Sequence, residues 1–270
     1  MKNELEILIR ARYPIISVLT WEEERVEEEL KTIAKNSSKN VFSWSVTRGI
    51  MPLGASIQSK KILVEGSTDP LVALQEVLER IDPAIYVFKD FHPYLTNPEI
   101  VRKLRELAQY LKESYKTLII ISPQLKIPLE LEKDITVIDY CLPDYETLNN
   151  LIEDVVNELN KSEKIKVSLS DDARERLIKS LMGLTLKEAE NVIARAIIVQ
   201  GKLDESAVPV VLSEKKQIIR KSGVLEYYEY DEGFENVGGL ETLKNWMLEQ
   251  LRECLAGSSH GFRKKYRLFL

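Results

Sequence analysis

Short apolar runs alternate with helical-period stripes through the first half of the chain. Ile15-Ile16-Ser17-Val18-Leu19 is brief and β-branched, as suits a strand buried on both faces. A helix is expected directly after it, capped by Thr20 with Glu23 as reciprocal partner, and with Val26, Leu30, Ile33 and Ala34 inward. Residues 41–46 read as a second strand. A loop comes next, containing Arg48-Gly49 and Gly54, and residues 60–65 are ambiguous between strand and linker. Asp69-Pro70 opens a helix with Leu71, Leu74, Leu78 and Ile81 as its stripe, because proline at the first helical position forfeits no hydrogen bond. Ile85-Tyr86-Val87-Phe88 is a third strand. Asn97-Pro98 starts a helix burying Ile100, Leu104, Leu107 and Leu111, and residues 118–121 and 135–138 add two strands.

This rhythm predicts an α/β fold, a parallel sheet with helices on both faces, since parallel neighbours need crossovers and helices supply them. After Leu142-Pro143 the pattern changes. Residues 144–159, 170–181 and 185–199 read as amphipathic helices without intervening strands, and 213–221 as one more. Thr185 and Glu188 form a capping box ahead of Ala189, Val192, Ile193 and Ala196. Residues 223–233 set Glu226, Glu229, Asp231 and Glu232 among Tyr227, Tyr228 and Tyr230, an acidic linker whose tyrosines are expected to pack on the next module. The expected organisation is therefore an α/β domain at 1–143, a small all-helical lid at 144–223, and a linker with the start of another module at 224–270.

Composition narrows the function classes. A net charge of -5 gives no general attraction to phosphate backbones, so nucleic acid is not the expected partner. The two cysteines, Cys141 and Cys254, make neither a disulfide framework nor a cysteine-based metal site, and a reducing compartment fits them. No apolar stretch approaches the roughly 18 to 20 residues that span a bilayer. The start, Met1-Lys2-Asn3-Glu4-Leu5-Glu6, suits neither a signal peptide nor an acid-poor transit peptide.

Several stretches carry a family likeness. Phe234-Glu235-Asn236-Val237-Gly238-Gly239-Leu240-Glu241-Thr242-Leu243-Lys244 resembles the entry segment of an AAA module, ahead of its phosphate loop. Ile85-Tyr86-Val87-Phe88, ending at Lys89-Asp90, is similar to that family's acidic metal-and-water strand, and 118–122 to its sensor strand. Leu142-Pro143-Asp144 and Gly183-Leu184-Thr185 sit where the family enters and crosses its lid. The chain thus resembles, to about Leu251, the AAA-domain ATPase family of cyanobacteria and algal plastids. That resemblance implies a degenerate P-loop NTPase-like first module and a second one carrying the nucleotide motifs.

A triphosphate site needs glycines that let backbone N–H groups approach, a lysine, and a Ser or Thr for Mg²⁺. After Leu19 stand Thr20 and Trp21, then Glu22, Glu23 and Glu24, which suit a helix N-terminus and repel phosphate. The single Gly-Lys pair, Gly201-Lys202, has Ala196 and Leu203 at the positions that need glycine and a hydroxyl. Lys89 takes the place of the metal-orienting aspartate, Asp90 that of the longer glutamate, and Ser122-Pro123-Gln124 departs from the usual polar sensor. Residues 254–270, with Arg263, Lys264, Lys265 and Arg267, also depart from the family pattern.

No catalytic, cofactor-binding or metal-ligating residue is therefore assigned; ATP and Mg²⁺ are expected for a complete second module alone. Asp90 beside His92 is read as loop hydrogen bonding in preference to an acid–base pair, and neither His92 nor His260 has a ligand cluster. Cys141 is read as a small buried hydrophobe, the acidic stretch 22–29 as a solvated face, and Arg48-Gly49 as a surface turn. The expected role is the N-terminal, non-hydrolysing part of an AAA-type protein that scaffolds or regulates an ATPase ring. Its partners are proteins, including a homo-oligomeric ring of the full-length family, without nucleic acid or membrane, in the cytoplasm or the plastid stroma. The alternative is a stand-alone interaction module of the same fold.

Overall fold

The computed structural model describes residues 2–56, 64–162, 165–221, 241–242 and 245–246. The chain divides into two compact units, Met1–Lys215 and Lys216–Leu270, and the candidate site lies wholly in the first. The entry-segment likeness at 234–244, apart from Glu241 and Thr242, lies outside the described residues, as do 60–63, the linker tyrosines and the tail at 254–270.

Six strands form the main sheet: β1 (Ile15–Leu19), β2 (Asn40–Ser45), β3 (Gly49–Pro52), β4 (Ala84–Lys89), β5 (Thr117–Ser122) and β6 (Ile135–Asp139), in the order β3-β2-β4-β5-β1-β6. β2, β4, β5, β1 and β6 run parallel; β3 pairs antiparallel with β2. The helices over this sheet are α1 (Lys2–Arg10), α2 (Glu23–Ser37), α3 (Pro70–Glu79) and α4 (Pro98–Lys112).

The pleat sorts the strand residues onto two cores, because successive side chains point to opposite faces. Ile15, Tyr86, Phe88, Leu118 and Ile120 join Leu74, Leu104, Leu107 and Leu111 on one face. Ile16, Val18, Ile85, Val87, Ile119 and Ile121 meet Leu5, Ile9, Val26, Leu30 and Ile33 on the other. Burial on both faces explains why these strands read as continuous apolar runs. An aromatic group closes the β2 side, with Trp44 stacked on Phe88 at 5.0 Å and edge-on to Phe91 at 5.3 Å. The Trp44 indole donates to the Ser67 carbonyl at 2.6 Å.

Four helices make the second part: α5 (Tyr145–Ser162), α6 (Asp171–Leu181), α7 (Leu186–Gln200) and α8 (Ala207–Lys221). Leu148, Ile152, Leu177, Leu181, Ala189, Val192, Ile193 and Ala196 are buried there. Thr185 caps α7 in a full capping box with Glu188, as its spacing predicts.

Five expectations are corrected. The loop expected to hold Arg48-Gly49 and Gly54 contains strand β3, so the turn at Arg48-Gly49 is that of a β2–β3 hairpin; Gly49 adopts φ +61, and a Cβ there would lie 2.4 Å from Ser67 Oγ, so glycine is required. Thr20 does not cap α2 with Glu23. It sits one residue too early: its N–H continues the β1–β5 ladder to the Ser122 carbonyl at 3.0 Å, and its hydroxyl accepts from the Glu22 N–H at 3.0 Å. Ile81 is 92% exposed because α3 stops at Glu79, ahead of Pro83; Leu74 is buried as expected and Leu71 and Leu78 pack partly buried on the core, with Ala73 and Val77 buried beside them. The helical part does contain strands, β7 (Lys166–Val167) and β8 (Lys202–Leu203), two residues each and parallel, too short to show a period. Finally, α8 begins at Ala207, with Pro209 in its first turn where no intrahelical donor is lost.

Candidate functional site

In an open α/β sheet, ligands gather beyond the carboxyl ends of the strands, where the strand order reverses. Here that place lies above β5, β1 and β6, and the turn from β1 into α2 fills its centre. Trp21, 76% exposed, and Glu22, 7% exposed, begin the turn, and α2 points its N-terminus at the same spot. A cavity of about 460 Å³ opens there, bordered by Trp21, Glu23, Glu24, Arg25, Leu186 and Lys187.

Glu22 organises the turn. One carboxylate oxygen accepts from the Leu186 N–H at 2.7 Å, and the other takes the Arg25 guanidinium at 2.5 Å. The same Arg25 nitrogen donates to the Cys141 carbonyl at 3.0 Å, and its guanidinium lies 4.7 Å from the Tyr140 ring centre. The Tyr140 hydroxyl donates to Glu29 at 2.9 Å; burial first, and then the Glu29 charge, raise its pKa well above that of a free phenol. Glu22, Arg25, Tyr140 and Glu29 thus run as one chain of charged contacts along α2 and the end of β6, and the Glu22–Leu186 bond carries it to the helical part.

At the end of β4, Lys89 reaches α2 and pairs with Glu27 at 2.5 Å and Glu23 at 3.3 Å. Burial opposes its charge, but the two carboxylates outweigh burial and hold its pKa above the ordinary lysine value. Asp90, exposed and in the left-handed region at φ 50, donates its N–H to the Ile121 carbonyl at 3.0 Å. His92 opens a short 3₁₀ turn, His92–Thr96, and among the described residues no hydrogen bond or ion pair joins it to Asp90. The Ser122 hydroxyl donates to the Gln124 carbonyl at 2.8 Å. Arg48, in the hairpin turn, donates to the Ser56 carbonyl beyond the end of β3 at 2.9 Å.

Two readings of the sequence change. Cys141 is exposed, because it comes after the end of β6 and lies beyond the sheet. The stretch 22–29 is no uniformly solvated face, since Glu22 and Glu29 are both buried. A signal was available: Glu22, Val26, Glu29 and Ile33 recur at spacings that put them on one side of a helix. The bond from Glu22 to Leu186 crosses 164 positions and has no sequence signature.

A mostly parallel sheet in this strand order, followed by a helical part, is the layout expected of an AAA-type module. Comparison with known proteins agrees, and residues 1–140 match the N-terminal domain, and residues 146–222 the second domain, of SpoVK-like AAA ATPases. The chain belongs to the SpoVK-like AAA ATPase family.

It is 35% identical over 251 residues to the AAA domain-containing protein ycf46 of Trieres chinensis, covering 91% of this chain and 48% of that protein. It is 32% identical over 253 residues to the ycf46 protein of Pyropia yezoensis, with 93% and 49% covered. The chain therefore spans about half the length of these relatives. A solved chain from the E. coli MS115-1 HORMA:CdnC:Trip13 complex shares the fold at a TM-score of 0.52 and 11% identity, over 78% of this chain and 86% of that one.

Proposed function

We propose that this chain is a non-hydrolysing module of an AAA-type protein, serving to scaffold or regulate an ATPase ring. The observation that carries the reading is the occupancy of the β1–α2 turn. A nucleotide would direct its phosphates at the N-terminus of α2, and the groups found there are Glu22, Glu23 and Glu24, with Glu22 already bound to Leu186 and Arg25. Added phosphate would meet three carboxylates and no glycine-lined cradle, so the residues do not fit ATP. A divalent ion beside the end of β4 would meet the Lys89 ammonium, which Glu23 and Glu27 hold in place.

A module of this kind acts through contacts with other proteins, including further copies in a ring, and not through nucleic acid or lipid. Among the described residues, no helix is long and apolar enough to cross a membrane. We place its work in the cytoplasm, or in the plastid stroma where the gene is plastid-borne. Phosphate release from ATP, monitored with the purified chain and Mg²⁺, tests the reading. The rate is expected to match buffer alone, and a magnesium-dependent turnover that scales with protein concentration would contradict it.

A further inference from the structure

Two helix N-termini converge on Glu22. It is the residue at the head of α2, and its Oε1 accepts from Leu186, the first residue of α7. A helix start presents unpaired N–H donors and the positive end of the helix dipole, so the Glu22 carboxylate is stabilised by the start of α7, whose first amide it takes, while it makes no capping hydrogen bond to α2 itself. The capping box of α7 does not cover Leu186. Thr185 Oγ1 takes the Glu188 N–H, and the Glu188 carboxylate takes the Thr185 N–H. Leu186 instead spends its N–H on a carboxylate from the other part of the unit, and Arg25 fixes that carboxylate from its second oxygen while holding the Cys141 carbonyl on the segment before α5.

We propose that Glu22 is a resident anion standing where a ligand phosphate would stand, latching α7 to the β1–α2 turn. The posture of the helical part is then set by the chain itself and does not respond to nucleotide. The proposal deepens the reading of this turn as one that takes no ATP, and it rests on that reading. It implies a module that presents one fixed surface to its neighbours throughout any nucleotide cycle they run.

Hydrogen exchange of single amides, monitored by NMR on the whole chain without nucleotide, tests it. In Glu22→Ala the Leu186 amide is expected to exchange at least about tenfold faster than in the wild type, the loss of a hydrogen bond to a charged group, while Glu188 is unchanged. Thr185→Ala should give the reverse pattern, with Glu188 accelerated and Leu186 retained. Should Glu22→Ala fail to fold, Glu22→Gln keeps an acceptor and is expected to accelerate Leu186 by a smaller factor. Leu186 exchanging at the wild-type rate in the folded variant would overturn the latch. Because no nucleotide is present, that failure is separate from any ATP binding seen by other means.

Discussion

The ammonium of Lys89, at the carboxyl end of β4, lies 2.5 Å from Glu27 and 3.3 Å from Glu23, both on α2. A fixed cation thus joins strand and helix beside the β1–α2 turn. Lys89→Met leaves the largely buried Glu27 without its partner and is expected to cost about 1–3 kcal/mol in urea unfolding. The raised pKa sets the pH dependence. Below the unfolded value of 10.5 the lysine is protonated in both states, so its contribution is fully present there. As pH rises through the higher folded value, it is lost. The difference between wild type and Lys89→Met should therefore stay flat from about pH 6 to 9 and narrow only in strong alkali.

Gly49 tests the β2–β3 hairpin. Alanine there meets two penalties: a φ of +61, and a Cβ 2.4 Å from Ser67 Oγ, a hydroxyl that itself accepts from the Ile50 N–H at 3.0 Å. Gly49→Ala is expected to destabilise by about 1–3 kcal/mol in a denaturant titration. Adding Ser67→Ala removes the clashing atom, so the two changes should be non-additive, the double variant losing less than the sum.

Lys116, 2% exposed, donates to the carbonyls of Val77, Leu78 and Arg80 at 2.6, 3.1 and 2.6 Å. It thereby closes the C-terminal end of α3, where carbonyls lack helical partners and a cation is favoured. Lys116→Met keeps the aliphatic stem and removes the donors. Thermal unfolding should show a loss of about 2–4 kcal/mol, larger than at any exposed lysine.

The Tyr140 hydroxyl satisfies one oxygen of the buried Glu29. Tyr140→Phe leaves that oxygen bare and should cost about 1–3 kcal/mol, and adding Glu29→Gln, which removes the buried charge, should recover part of the loss. Equal losses in the single and double variants would contradict this.

Most of the sheet was legible because burial on both faces leaves uninterrupted β-branched runs; Ile15–Leu19 appears as the spacing predicts. The α4 stripe of Ile100, Leu104, Leu107 and Leu111 and the capping box at Thr185 were legible for the same local reason. What escaped was short or non-local. β3, β7 and β8 have four residues or fewer, below the length at which a period of two declares itself. α1 is short, and its described inward residues, Leu5 and Ile9 with Leu8 partly buried beside them, span little more than one turn. At the site, the acidity of the turn after Leu19 was plain, but the fate of its charges was not. Glu22 meets Leu186, Lys89 meets Glu27 and Tyr140 meets Glu29 through contacts between elements distant in sequence, which propensity and periodicity do not encode.

Whether the acidic β1–α2 turn offers a triphosphate any place is decided by calorimetric titration of the purified chain with ATP and Mg²⁺. No saturable heat is expected at millimolar or lower nucleotide. A magnesium-dependent isotherm with a dissociation constant below millimolar would show that the turn binds nucleotide after all.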